Sequence, residues 1–146
     1  MRIGRTIQWI LGVWLLLGLS GTVWAGVAGQ YLPSGAQARR IRVTVDPPAP
    51  RAFIVVQRLP PGARIVKAQP RPAGINAARQ VVRWLFKHPQ PGSLTIHVQI
   101  DRDWPHLKKN IGKILYKKPR GKAMIQKDIL PPPEKSRRVH RPGYRR

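Results

Sequence analysis

Apolar and polar residues alternate with a period of two along much of residues 41–100. The last stretch shows it most clearly, because Leu94, Ile96, Val98 and Ile100 are separated by polar residues. Successive side chains of a strand point to opposite faces, so these four side chains are expected on one buried face. The pattern predicts five strands, at residues 41–45, 53–59, 63–68, 81–86 and 93–100. The run at 53–59 is almost continuously apolar and predicts a strand covered on both faces.

Proline and glycine stand between these runs and never inside one. Proline has no N–H to give to a sheet, so it belongs in turns and at strand ends. In the Leu-Pro-Pro-Gly segment at 59–62, Pro60 and Pro61 fix φ and end the strand, and Gly62 allows the geometry of a turn. Turns at such regular intervals indicate an all-β fold, a small antiparallel β-sandwich.

Five motifs follow one another along the chain: Phe53–Val56, Leu59-Pro60-Pro61-Gly62, Ile65-Val66, Val82-Arg83-Trp84 and Pro91-Gly92-Ser93-Leu94-Thr95-Ile96. Their order resembles the repeat-type immunoglobulin-like β-sandwich domains of bacterial cell-surface and secreted proteins. The resemblance covers about residues 41–100 and implies a structural role as a spacer or a binding role as an accessory module. One departure is that Gln57 and Arg58 stand where the family commonly has an acidic residue before its Leu-Pro.

Five strands are fewer than the roughly seven of a full sandwich of this type. The missing strands are expected from residues 27–33, from the region after 101, or from a protein partner that adds a strand to an open edge. Residues 26–40 are small, polar and glycine-rich and are interpreted as a linker. The predicted sandwich domain therefore spans 41–101.

The first 25 residues have the order of a secretory signal peptide. Arg2 and Arg5 precede an apolar run at 9–19, and Val23 and Ala25 stand at the −3 and −1 positions of a cleavage site. The pattern predicts a mature chain that begins at Gly26 and lies in the periplasm, the cell envelope or outside the cell. An uncleaved single-pass membrane anchor is the alternative.

The chain of 146 residues has 28 Lys and Arg against 5 Asp and Glu, a net charge of +23. This imbalance favours an anionic partner, either a polymer or a membrane surface. Adaptation to an acidic medium is the other explanation. The absence of cysteine excludes disulfides, thiolate metal sites and a cysteine nucleophile.

Residues 102–127 fit two structures. As a basic amphipathic helix, which we favour, the segment places Trp104, Leu107, Ile111, Ile114 and Leu115 on one face and Lys109, Lys113 and Lys117 opposite. As a hairpin, KILYKK and KAMIQK flank a turn at Lys118-Pro119-Arg120-Gly121.

Residues 128–146 are rich in proline and arginine, and we expect a disordered basic tail. Cations here and in the preceding segment are the candidate polyanion-binding residues. They are Lys108, Lys109, Lys113, Lys117, Lys118, Arg137, Arg138, Arg141, Arg145 and Arg146.

No catalytic, metal-binding or cofactor-binding pattern is found in the sequence. The four histidines have no ligand spacing, and the serines have no nucleophile-elbow context. We therefore expect no enzyme, no cofactor and no small-molecule substrate. The expected function is an exported accessory module that binds an anionic envelope component or a partner subunit. The alternative is an exported polyanion or nucleic-acid binder that acts through its tail.

Overall fold

The computed structural model of the protein describes residues 26–105 and 112–133. The predicted signal peptide, the middle of the predicted helix and most of the predicted tail lie outside the described residues. Those residues contain nine strands and no helix. The strands are β1 (Val27–Leu32), β2 (Ala38–Val45), β3 (Ala52–Arg58), β4 (Ile65–Gln69), β5 (Gly74–Asn76), β6 (Val81–Lys87), β7 (Gly92–Ile100), β8 (Gly112–Lys117) and β9 (Met124–Asp128).

The strands form two antiparallel sheets. Sheet A has four strands in the order β1-β2-β7-β4, and sheet B has five in the order β5-β6-β3-β8-β9. Strand β3 is central in sheet B, because Ile54 is opposite Leu85 of β6 on one side and Leu115 of β8 on the other. The fold is therefore all-β, as predicted, and its two sheets are consistent with a β-sandwich.

One hydrophobic core lies between the sheets, formed by alternate residues of both. Trp84 of β6 is 1% exposed, and Ile96, Val98 and Ile100 of β7 are fully buried, which confirms the predicted inner face. Leu94 is only partly buried against this core, and Arg83 faces solvent as expected. Strand β3 differs from the prediction, because Ile54 and Val56 on its outer face are half-buried rather than covered.

The chain joins the two sheets along one side through residues that follow β9. The Leu130 N–H donates to the Gly29 carbonyl at 2.9 Å, and its carbonyl accepts from the Tyr31 N–H at 2.9 Å. Ile129 is fully buried in the core beside these bonds. The free edge of β1 is therefore covered by the chain itself, within the segment predicted to be a disordered tail.

The opposite side is joined by the segment between β4 and β5. The indole N–H of Trp84 donates to the Pro70 carbonyl at 2.8 Å, and the Ala73 N–H donates to the Arg83 carbonyl at 2.8 Å. These bonds hold the connecting segment against β6. The segment between the predicted strands at 63–68 and 81–86 thus contains the short strand β5.

The Leu-Pro-Pro-Gly segment forms the predicted turn. The Ala63 N–H donates to the Pro60 carbonyl at 3.1 Å, with Pro61 and Gly62 between them. Gly62 has a φ of 70°, and proline followed by a glycine at positive φ is the residue pattern of a type II turn. The turn separates β3 from β4, which belong to different sheets.

Three sequence predictions are wrong. Residues 26–40 are not a linker, because they contain β1 and the start of β2. The preference for a helix fails where the segment is described, since residues 112–117 are β8. The hairpin alternative is right, and the Gly121 N–H donates to the Lys118 carbonyl at 3.0 Å to close its turn. The third wrong prediction is the extent of the domain, residues 41–101, because the paired backbone extends from residue 27 to residue 130.

Candidate anion-binding face

The outward face of sheet B carries an apolar band across its central strands. Leu85, Ile54 and Leu115 are opposite one another on β6, β3 and β8. Leu85 is 43% exposed, and the other two are half-buried. We call these three side chains the apolar band. In the next row, Val56 lies between Arg83 and Lys113, so cations border the band.

An arginine groove of about 840 Å³ lies at one end of this face. Its cations are Arg58 at the end of β3, Arg83 on β6 and Arg79 in the turn between β5 and β6. The turn is fixed because the Asn76 Oδ1 accepts from the Arg79 N–H at 2.9 Å. Apolar side chains of Val56 and the β5–β6 hairpin line the rest of the groove. All three arginines are exposed to solvent.

An amphipathic pocket of about 470 Å³ lies at the other end of the face. The apolar band and Met124, which is 53% exposed, form its floor. Its rim is cationic and comes from the start of β3 and from the β8–β9 hairpin. The rim residues are Arg51, Lys117, Lys118 and Arg120.

No carboxylate lines either concavity. The Arg102 Nε and the Asp101 Oδ1 form an ion pair at 3.3 Å. Asp101 also accepts from the Arg64 N–H at 3.0 Å, and this bond, with that of Arg102, holds its pKa below the ordinary value. The cations that line the two concavities thus have no acid beside them in the lining, which favours an anion from outside.

The outward face of sheet A differs in character. Its central strand β7 presents Ser93, Thr95, His97 and Gln99, all polar. Arg40 and Arg42 of β2 lie opposite His97 and Thr95. This face has exposed cations as well, but its central strand presents no apolar side chain. The two faces therefore provide a natural comparison for binding experiments.

Three of the predicted polyanion-binding residues lie on the sheet B side. Lys113 and Lys117 are exposed residues of β8, and Lys118 begins the β8–β9 turn. The other predicted residues, Lys108, Lys109, Arg137, Arg138, Arg141, Arg145 and Arg146, lie outside the described residues. The sequence interpretation missed Arg51, Arg58, Arg79, Arg83 and Arg120. Their signal in the sequence was weak: Arg58 and Arg83 are polar residues at alternate positions of apolar strands.

A buried polar cluster lies at the end of the core. The Tyr31 hydroxyl donates to the Gln57 Oε1 at 2.7 Å, and burial raises the pKa of Tyr31. Arg39 stacks over the Trp104 ring at 5.3 Å and donates to the Pro105 carbonyl at 2.9 Å, and burial lowers its pKa. The cluster holds residues 104 and 105 against β2. Trp104 is therefore part of the core, not of an amphipathic helix.

The described residues contain no cluster of three or more His, Cys, Asp or Glu side chains with metal-binding geometry. Nor does this part of the chain contain a helix long and apolar enough to cross a membrane. Comparison of the chain with protein-family models, with curated proteins and with solved structures found no match. The case for function therefore depends on the two faces of the sandwich.

Proposed function

We propose that the protein is an exported, non-catalytic module that binds an anionic component of the cell envelope through the outward face of sheet B. The observation that carries this proposal is the arginine groove, where Arg58, Arg79 and Arg83 line one concavity without a carboxylate. The immunoglobulin-like character of the sandwich and its export to the envelope belong to the same proposal. They are supported by the motif order and by the signal-peptide pattern of residues 1–25.

Arginine is the side chain best suited to this binding. Its planar guanidinium donates two parallel hydrogen bonds to a phosphate, sulfate or carboxylate group. Three guanidinium groups around one groove also repel each other, and a bound anion relieves that repulsion. The groove therefore suits a ligand with several anionic groups more than a single ion.

Heparin serves as a probe polyanion for the groove. We expect the purified protein to bind it at low salt, with an affinity that falls linearly as salt rises on a logarithmic scale, because binding releases counterions. The triple variant Arg58→Gln, Arg79→Gln, Arg83→Gln should reduce the affinity and flatten the salt dependence. The matched control is Arg40→Gln, Arg42→Gln, Lys67→Gln, which removes the same charge from exposed positions of sheet A.

The two triple variants distinguish binding at the arginine groove from non-specific electrostatic attraction to a basic protein. An effect confined to the sheet B variant supports the proposal. Equal effects of both variants, or no binding at low salt, would overturn it. Deletion of residues 135–146, which removes Lys135 and five arginines, tests the alternative that the tail binds. Loss of heparin binding in this deletion alone would assign the function to the tail.

Export is tested independently of the ligand. The chain recovered from the cell envelope should begin at Gly26, because Val23 and Ala25 fit the cleavage site. N-terminal sequencing measures this directly. A chain that begins at Met1 and needs detergent for extraction would instead support the membrane anchor.

A further inference from the structure

The amphipathic pocket has an apolar floor, which a hydrophilic polyanion would not contact favourably. Its floor is the apolar band together with Met124, and about half of the Leu85 and Met124 surfaces meet water. Four cations surround this floor, and no acid lines the pocket. A ligand that complements both parts has an apolar chain and an anionic group.

The backbone beneath the pocket indicates what kind of chain this is. Strand β3 pairs with β6 on one side and β8 on the other, so its backbone groups are already used within sheet B. A peptide laid across these central strands would find no ladder to join, and its own backbone groups would lose water without replacement. An alkyl chain has no hydrogen bonds to satisfy. The floor therefore favours a hydrocarbon over an extended peptide.

We propose that this pocket binds an acyl chain of an anionic lipid, with the headgroup phosphate held by Lys117, Lys118 and Arg120 on the hairpin rim. The inference rests on the proposed function of sheet B as an anion-binding face and narrows the ligand to an amphiphile. The pocket volume of about 470 Å³ falls within the range of small-ligand sites, about 300–1,000 Å³. The arginine groove at the other end of the face then meets further anionic groups of the same ligand or surface.

The test uses alkyl phosphates of four, six and eight carbons, each below its micelle concentration, with inorganic phosphate and a neutral octyl glycoside as reference probes. Binding is measured by calorimetry. We expect the affinity to rise by about fourfold for each methylene that is buried. Inorganic phosphate and the neutral glycoside should each bind much more weakly than octyl phosphate.

Two double variants test which side chains contact the alkyl chain and which contact the phosphate. Leu85→Thr with Leu115→Thr replaces outward-facing apolar residues by strand-forming polar ones and should flatten the dependence on chain length. Lys118→Gln with Arg120→Gln should weaken all alkyl phosphates by a similar factor and leave the dependence on chain length unchanged. Arg58→Gln with Arg83→Gln is the control from the arginine groove and should leave the chain-length dependence unchanged. Thermal unfolding of each variant identifies any loss that is due to misfolding.

The outcomes separate this inference from the proposed function. Heparin binding without chain-length dependence overturns the lipid site and leaves the anion-binding face in place. Chain-length dependence without heparin binding supports the pocket and overturns the polyanion function. Equal affinity for octyl phosphate and the neutral glycoside removes the role of the cationic rim and overturns the inference. We expect the protein to float with anionic phosphatidylglycerol vesicles and not with neutral phosphatidylcholine vesicles, and equal flotation with both would overturn the role of the cationic rim.

Discussion

Trp84 illustrates, at the scale of single residues, how one side chain serves packing and a hydrogen bond together. Its ring is 1% exposed between the sheets, and its indole N–H donates to the Pro70 carbonyl at 2.8 Å. We expect Trp84→Ala to lower the free energy of unfolding by about 3–5 kcal/mol, as for other large aromatic truncations in cores. Urea denaturation measures this, with Trp84→Phe as the control that keeps most of the ring.

The Phe control distinguishes the two contributions of Trp84. It removes the hydrogen bond to Pro70 but leaves an aromatic ring in the core, so its cost should be clearly smaller than that of Ala. Equal costs of Phe and Ala would show that the hydrogen bond dominates. A cost below about 1 kcal/mol for Ala would contradict the burial of Trp84 in the core.

Position 112 requires glycine because neighbouring side chains leave no space for a Cβ, and not because of its backbone conformation. A Cβ at this position would collide with the Tyr31 hydroxyl and would lie 2.6 Å from the Ile129 Cδ1 and 2.9 Å from the Gln57 Oε1. We expect Gly112→Ala to destabilise the protein by about 1–3 kcal/mol through overpacking. Gly35→Ala, where the added Cβ meets nothing within 4 Å, is the control and should stay within about 0.5 kcal/mol of the parent.

A double-mutant cycle tests the cause of this cost. Tyr31→Phe removes the hydroxyl that the added methyl group would strike, so the loss caused by Gly112→Ala should be smaller in the Tyr31→Phe background. Urea denaturation of the four proteins gives the coupling. Additive losses would indicate that the Tyr31 hydroxyl does not cause the strain.

At the scale of elements, the β8–β9 hairpin shows why a sequence pattern can favour the wrong structure. Ile114 and Leu115 are consecutive apolar residues that fit the apolar stripe of a helix as well as a strand, although Tyr116 falls on the polar side of that helix. In the structure, Gly112, Ile114 and Tyr116 are buried and alternate with residues that are not. Tertiary packing therefore favours the strand. Position 112 points inward but lies so close to Tyr31 and Gln57 that only glycine fits, and the sequence consequently lacks the apolar residue that would have completed the two-residue period.

Strand β1 lies within residues 27–33, which the sequence offered as one source of the missing strands, although residues 26–40 as a whole were interpreted as a linker. Its inward positions are Val27, Gly29 and Tyr31, and a Cβ on Gly29 would lie 2.6 Å from the Ile114 Cδ1. The glycine leaves space for Ile114 from the other sheet, but in the sequence it looks like part of a linker. The five strands with apolar side chains at their inward positions were predictable, whereas the strands with a glycine at an inward position needed the partner sheet to explain them.

Leu130 closes one side of the sandwich through its backbone, and this supports a prediction at the element scale. Leu130→Pro removes the N–H that donates to the Gly29 carbonyl and should cost about 1–3 kcal/mol, because a buried acceptor loses its donor. The Leu130 side chain itself is 57% exposed, so Leu130→Thr should be nearly neutral. Hydrogen exchange at the Tyr31 amide should become faster in the Pro variant and stay unchanged in the Thr variant. Faster exchange in both would mean that the side chain, not the backbone bond, holds β1.

For the whole molecule, the net charge predicted an anionic partner, which stays a prediction, but no feature of the sequence indicated the arginine groove. The net charge of +23 and the candidates Lys113, Lys117 and Lys118 followed from residue types and spacing. The arginine groove did not, because Arg58, Arg79 and Arg83 come from three separate elements. Only the order of the strands in sheet B and the β5–β6 turn bring them together. No local pattern encodes that proximity.

The charge of the whole molecule also predicts how salt affects stability. With 28 Lys and Arg against 5 Asp and Glu, repulsion between like charges outweighs attraction between opposite ones. Raising NaCl from about 10 to 150 mM shortens the Debye length from about 30 to 8 Å. The urea midpoint should therefore increase over this range. A midpoint that falls with NaCl would show that ion pairs stabilise the fold.

Sulfate distinguishes general charge screening from specific anion binding when the same urea denaturation is repeated with Na₂SO₄. At equal ionic strength, Na₂SO₄ should raise the urea midpoint further than NaCl, because an anion that binds only the native state stabilises it. Sulfate also strengthens apolar burial in any protein, so the excess over NaCl has two parts. The sheet B variant Arg58→Gln, Arg79→Gln, Arg83→Gln should lose the part due to binding and keep the general part. The sheet A variant Arg40→Gln, Arg42→Gln, Lys67→Gln should keep both. If the excess is the same in all three proteins, the arginines do not form an anion site, and sulfate acts on the fold alone.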